Sequence, residues 1–145
     1  MKNGHLNICL KQSEDFLSVR KGLRDIKSQV LRTGLAIQDF QSIELVLAEV
    51  LNNIVEHGGI PYNPSDVQFT WELYDNQFCA MIIDPGVAYN PNITSTLNSE
   101  DIGSLPNELP EGGFGWSLVV ALCSAIKYER FDQRNVLNLK IPLHS

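Results

Sequence analysis

The chain has 145 residues, is 43% hydrophobic, and carries a formal charge of -6 from 17 acidic and 11 basic residues. That length and apolar content predict one globular domain over residues 1–145, and the negative charge argues against nucleic acid as the main partner. No apolar run is long enough to span a membrane, and Met1-Lys-Asn-Gly-His-Leu-Asn lacks the apolar stretch of a signal peptide. Cys9, Cys79 and Cys123 sit in apolar contexts without metal-ligand spacing, so buried, reduced thiols of a cytoplasmic protein are expected.

Leu6, Ile8 and Leu10 alternate with polar or small residues and predict a first strand. Ser13 is placed to cap a helix, with Glu14 and Asp15 in the first turn, where the helix dipole favours acids. Phe16, Val19, Leu23, Ile26 and Val30 then step by three and four up to Thr33-Gly34, an amphipathic helix. Its outer face carries Arg20, Lys21, Arg24 and Lys27, which reads as a solvated face, with a partner surface as the lesser alternative. A second helix follows from Ile43, Leu47, Val50, Leu51 and Ile54 at the same spacing.

Beyond it, Gly58-Gly59-Ile-Pro61-Tyr-Asn-Pro64 breaks regular structure. Val67, Phe69, Trp71 and Leu73 alternate with polar residues and predict a half-buried strand. A turn at Asp75-Asn76 leads into Phe78–Ile83, read as a more fully buried strand. Residues 85–113 are rich in Pro, Gly, Asn and Ser without periodicity, the pattern of a functional lid or a disordered segment. Trp116–Ile126 is apolar nearly all round and predicts a short buried helix. Two strands, Ile126–Phe131 and Val136–Ile141, close the chain around a turn at residues 132–135. This order predicts an α+β fold: a two-layer α/β sandwich in which helices cover one face of a largely antiparallel mixed sheet.

Three polar features interrupt the pattern. In the second helix, Glu49, Asn53 and His57 follow at i, i+4 and i+8 and form one polar stripe. A carboxylate one turn from a carboxamide can hold a water and a hard cation such as Mg2+; a wet helix face is the alternative. Asn is a poor helix former that needs a local reason to sit mid-helix. Asn52 turns about 100° away from Asn53 and is set aside. Next, Asp84-Pro85-Gly86 leaves the end of a strand; its carboxylate can accept from an exocyclic amine, although the same tripeptide is an ordinary turn signature. Last, Glu111-Gly112-Gly113-Phe114-Gly115-Trp116 leads into a helix, and its N–H groups could cradle phosphate or serve as a hinge.

In this order and on these elements, the three features resemble the GHKL (Bergerat-fold, histidine-kinase-like) ATPase superfamily from about residue 6 to residue 141. The size, the single leading strand and helix, Asp84-Pro-Gly-Val-Ala-Tyr-Asn-Pro91 and the ending Asn135-Val-Leu-Asn-Leu-Lys look most like its anti-sigma-factor serine/threonine-protein kinase branch. The resemblance implies ATP and Mg2+ as cofactors, with Glu49 as general base and Asn53 as metal ligand. It implies Asp84 as the adenine-reading acid, Gly86 as the glycine under the base, and Gly113 and Gly115 on the phosphate side, with residues 92–111 as lid. His57 matches a helix-end histidine, read as structural. The expected partners are a sigma factor and a STAS-domain anti-anti-sigma protein, the latter phosphorylated on Ser or Thr, and a homodimer is expected.

One departure bears on activity. Residues 33–126 contain no Lys or Arg and twelve Asp or Glu, four of them, Glu100, Asp101, Glu108 and Glu111, in the lid. Members of the superfamily often present a basic residue toward the terminal phosphate, so this chain offers unusually little cationic help. A non-catalytic, degenerate nucleotide-binding module that sequesters a protein partner is therefore the alternative. A histidine-kinase-like domain working in trans is disfavoured by the absence of a phosphoacceptor helix pair.

Overall fold

A computed structural model of the chain describes residues 2–11, 16–57, 65–88, 96–98 and 113–144. The order is β1 (Lys2–Leu10), α1 (Phe16–Leu31), α2 (Ile37–His57), β2 (Ser65–Tyr74), β3 (Gln77–Asp84), β4 (Thr96–Asn98), α3 (Gly113–Leu122), β5 (Ala125–Phe131) and β6 (Arg134–Pro142). The strands form one sheet in the order β1-β2-β3-β6-β5-β4. Every neighbouring pair among these strands is antiparallel, so the sheet lacks the mixed character expected of it.

Register explains why only one face is dry. Ile8 pairs with Val67, Phe69 with Ile82, Ile82 with Leu137, and Tyr128 with Leu137. Because strand side chains alternate in direction, these residues share a face, and all are buried. The apolar stripes of the helices, including Val19, Ile26 and Val30 of α1, Leu47, Leu51 and Ile54 of α2, and Val119 of α3, complete the same core. The α+β two-layer architecture is as expected.

The opposite face stays partly open. Along β3, Gln77, Cys79, Met81 and Ile83 are half-buried and alternate with buried Phe78, Ala80, Ile82 and Asp84, so β3 is not the fully buried strand its composition suggests. The cause is that no second layer of described residues covers that face. Cys9 points outward and is exposed; Cys123 alone of the three cysteines is buried. The helix expected at residues 116–126 begins and ends earlier, and Ser117 and Ala121 are exposed. Ile126 belongs to β5. The stretch 85–113 holds the short strand β4 and the first residue of α3.

Two glycines let α1 settle against β1. A Cβ on Gly22 would lie 2.6 Å from Ile8 Cγ2, and one on Gly4 would meet Gln29 Oε1 at 2.5 Å and Trp71 Nε1 at 2.7 Å. Over Gly4 the Trp71 indole N–H donates to Gln29 Oε1 at 2.6 Å, which satisfies its polar edge inside the core. Positive φ at Asp75 and Asn76, and again at Asp132 and Gln133, makes both two-residue hairpins type I′ turns, whose twist matches that of the strands. The β2–β3 turn also holds the tail: Leu143 N–H donates to Asn76 O at 2.9 Å.

Candidate functional site

Asp84 continues the inward phase of β3 and is 0% exposed, as is Asn135 of β6. The two are paired in register, and Asn135 is paired in turn with Arg130 of β5. Across these three strands runs a polar network. Gly86 N–H donates to Asp84 Oδ1 at 2.8 Å, closing the Asp-Pro-Gly turn back on its own carboxylate. Asn135 Nδ2 donates to the same oxygen at 3.0 Å and to Val87 O at 2.7 Å. Tyr128 Oη donates to Asn135 Oδ1 at 2.6 Å, and Arg130 Nη1 reaches Asn135 Oδ1 at 3.0 Å and Gly86 O at 2.7 Å.

The sequence reading singled out Asp84 and Gly86 here and did not assign Tyr128, Arg130 or Asn135 to the site. A signal was present: Asp84 and Asn135 occupy apolar phases, Phe78-Ala80-Ile82 and Leu137-Leu139-Ile141. A polar side chain in such a phase is buried and must be hydrogen-bonded. What pattern alone lacks is the partner, because Asp84 and Asn135 are 51 positions apart.

The second cluster lies on α2. Glu49, Asn52 and Asn53 are half-buried, between the buried Val50, Leu51, Ile54 and Val55. Asn53 Nδ2 and Asn52 Oδ1 are buried atoms with no hydrogen-bond partner among the described residues. Such atoms are costly, and in a native protein each calls for an explanation. Because the amide N and O of an Asn exchange on a half-turn, the Asn53 position can present oxygen to a cation or N–H to an anion. Among the described residues, no group of three or more His, Cys, Asp or Glu is placed to hold a metal. A single carboxamide suits an ion such as Mg2+, which keeps several waters and is shared with substrate phosphates instead of being caged by protein.

His57 is the last residue of α2, and its side chain lies outside the described residues. Gly113 and Gly115 form the first turn of α3 instead of preceding the helix. Ser13, Glu14, Asp15 and the four lid acids Glu100, Asp101, Glu108 and Glu111 lie outside the described residues. α3 packs against α2, and α2 against α1. Two of the four Lys and Arg residues that follow α3 have side-chain partners among the described residues. Lys127 Nζ pairs with Glu129 at 2.8 Å, and Arg130 is engaged at Gly86 and Asn135.

Two other hollows adjoin this region. One of about 300 Å³ is lined by Asp66, Gln68, Ile83, Asp84, Pro85 and Arg134; it touches the Asp84 turn but not α2. A groove of about 460 Å³ runs between α1 and α2, lined by Arg20, Leu23, Arg24, Lys27, Glu44, Leu45 and Ala48. Arg20, Lys21 and Arg24 of the basic face are exposed to solvent, and Arg20, Arg24 and Lys27 also border this cleft.

The model of the family described as histidine kinase-like ATPase domain matches residues 13–141. The Bacillus cereus (strain AH187) protein named serine-protein kinase RsbW is 28% identical over 110 residues, covering 75% of this chain and 68% of that protein. The protein of the same name from Bacillus thuringiensis (strain Al Hakam) is 27% identical over the same shares. Among solved structures, the Acinetobacter baumannii histidine kinase AdeS aligns with 100% of this chain and 70% of its own, at a TM-score of 0.47 and 15% identity.

Proposed function

The chain belongs to the histidine kinase-like ATPase domain family, and on that premise we propose that it is a single-domain, ATP-binding regulator of the RsbW kind. In this reading it is an ATP-dependent serine/threonine-protein kinase and anti-sigma factor. Its substrate would be a STAS-domain antagonist protein, its alternative partner a sigma factor, and its working form a cytoplasmic homodimer. The observation that carries the reading is the pairing of two clusters over one core. Asp84 ends the inward row of β3, and the stripe of Glu49 and Asn53 rides on the helix packed against the same apolar interior.

Each residue then has a separable task. Asp84 accepts from the exocyclic amine of adenine, and the turn at Gly86 lets the base lie against the backbone. Asn53 would hold Mg2+, which when bound neutralises phosphate charge. Glu49, one helical turn away, orients the attacking hydroxyl and accepts its proton. Gly113 and Gly115, with no Cβ, leave the amino end of α3 open to phosphate oxygens. Phosphoryl transfer needs positioning and charge neutralisation more than covalent chemistry, and this set supplies both. The groove beside Arg20, Arg24 and Lys27 offers a surface for a protein partner.

The engagement of Lys127 with Glu129, and of Arg130 with Gly86 and Asn135, favours one other reading. Cations held in these contacts are not free to serve a phosphate, as a non-catalytic module that sequesters its partner would permit. Thermal unfolding with and without Mg2+ and ATP tests the shared premise. A rise in Tm is expected for wild type, and its loss in Asp84→Asn, which keeps an acceptor for Gly86 N–H but turns an amide donor toward the amine. No rise in wild type would sink the nucleotide assignment. Phosphotransfer to a STAS-domain protein then separates the two readings: Glu49→Ala should keep the Tm rise and lose transfer. Transfer at the wild-type rate in that variant would refute the role given to Glu49.

A further inference from the structure

The network behind Asp84 does more than close a turn. An arginine guanidinium can only donate, and a backbone carbonyl can only accept. Asn135 lies between one of each: Arg130 on one side, the Val87 carbonyl on the other. Its amide therefore has a single allowed orientation, oxygen toward Arg130 and Tyr128, NH2 toward Val87 and Asp84. A flipped amide would set N–H against guanidinium and oxygen against two acceptors. Asp84 Oδ1 thus receives two N–H groups, from Asn135 and from Gly86, and must itself be an acceptor.

We propose that Asn135, aimed by Arg130 and Tyr128, sets base specificity by holding Asp84 as an obligatory hydrogen-bond acceptor. The ligand selected is a purine nucleotide with an amino group at position 6, over one with an oxo group there. The proposal rests on the nucleotide reading above and deepens it. A 6-oxo group in the place of the amine would set acceptor against acceptor in a desolvated site, the situation in which one polar mismatch is strongly rejected. Arg130 and Tyr128 are positioning residues: they act on the base through Asn135 and, for Arg130, through the Gly86 carbonyl. The register makes this possible, since Asp84, Asn135 and Arg130 stand side by side on β3, β6 and β5.

The test is the ratio of ATP to GTP affinity, measured by calorimetry on the full chain with Mg2+. Wild type should favour ATP. The pair Arg130→Met with Tyr128→Phe removes both donors to Asn135 Oδ1, one from exposed Arg130 and one from buried Tyr128. It should fold normally and lower the ratio by about tenfold, the scale of one hydrogen bond to a charged group. Asn135→Asp sets a second carboxylate against Asp84. Two carboxyls so close share a proton, which gives Asp84 a donor and should lower the ratio further. Arg130→Lys, still donor-only, should recover part of the preference lost in Arg130→Met, which a merely structural role would not require. A folded double variant whose ratio stays within twofold of wild type overturns the proposal, whatever becomes of Asn135→Asp. Absence of ATP binding by wild type is a different result, and it removes the nucleotide reading itself.

Discussion

The two polar clusters of this molecule are built on opposite principles. At the strand ends, Asn135 makes four hydrogen bonds and Asp84 Oδ1 accepts two, with both residues fully buried. On α2, Asn52 and Asn53 each keep a buried amide atom without a partner among the described residues. The first cluster is complete within the protein and rigid, because moving any member leaves another unsatisfied. The second holds polar atoms at an energetic cost that the fold itself does not repay. Preorganisation at one end and unmet bonding capacity at the other is the division expected where one end reads a ligand's shape and the other meets its charge.

Stability measurements can break this comparison, because the two clusters should respond with opposite sign. Asn135→Leu removes the oxygen that Arg130 and Tyr128 share and strips a donor from Asp84; it should cost about 2–4 kcal/mol in urea unfolding. Asn53→Leu removes an orphaned atom and adds apolar surface. It should leave the unliganded protein unchanged or stabilise it by up to about 1 kcal/mol, while abolishing the Mg2+-dependent part of the ATP-induced Tm rise. A loss above about 1 kcal/mol in Asn53→Leu would mean that the amide is structural, and the contrast between the clusters would fall. Asn52→Leu sharpens the same point with a smaller effect, a change within about 0.5 kcal/mol and no effect on nucleotide.

An alkaline effect of still narrower scope comes from Cys123, at the end of α3. Burial pushes its thiol up to about 12 in the folded chain, whereas a free cysteine ionises near about 8.5. The unfolded chain therefore releases this proton first as pH rises. Stability from this group is full below about pH 8.5 and is lost toward about pH 12, at no more than about 1.4 kcal/mol per pH unit. Cys123→Ala should flatten that part of the pH dependence of unfolding; an unchanged slope between pH 9 and 10.5 would show that other groups set it.

Much of the architecture was legible from the chain. Steps of three and four mark α1 and α2, alternation marks β1 and β2, and Asp75-Asn76 marks its hairpin. The readings that moved did so for identifiable reasons. Phe78–Ile83 is apolar enough for a doubly covered strand, yet only one face is covered. Trp116–Ile126 is mostly apolar because it runs from α3 into the start of β5, and composition does not distinguish the two. Glu49 and Asn53 stood out because polar residues at helical spacing share a side. Asn52, set aside by the same geometry, proves to share Asn53's condition of a buried, unpaired amide atom.

What the sequence by itself determined is local: helical and strand periods, turn residues, and the polar positions that break an apolar phase. Those depend on neighbours within a few positions, where backbone geometry fixes which side chains meet. Only the tertiary structure decided that Asp84, Asn135 and Arg130 stand abreast, that Arg130 serves the strand-end cluster, and that one sheet face stays open. Such facts depend on register between strands far apart in the chain, which is set by the packing of the whole core.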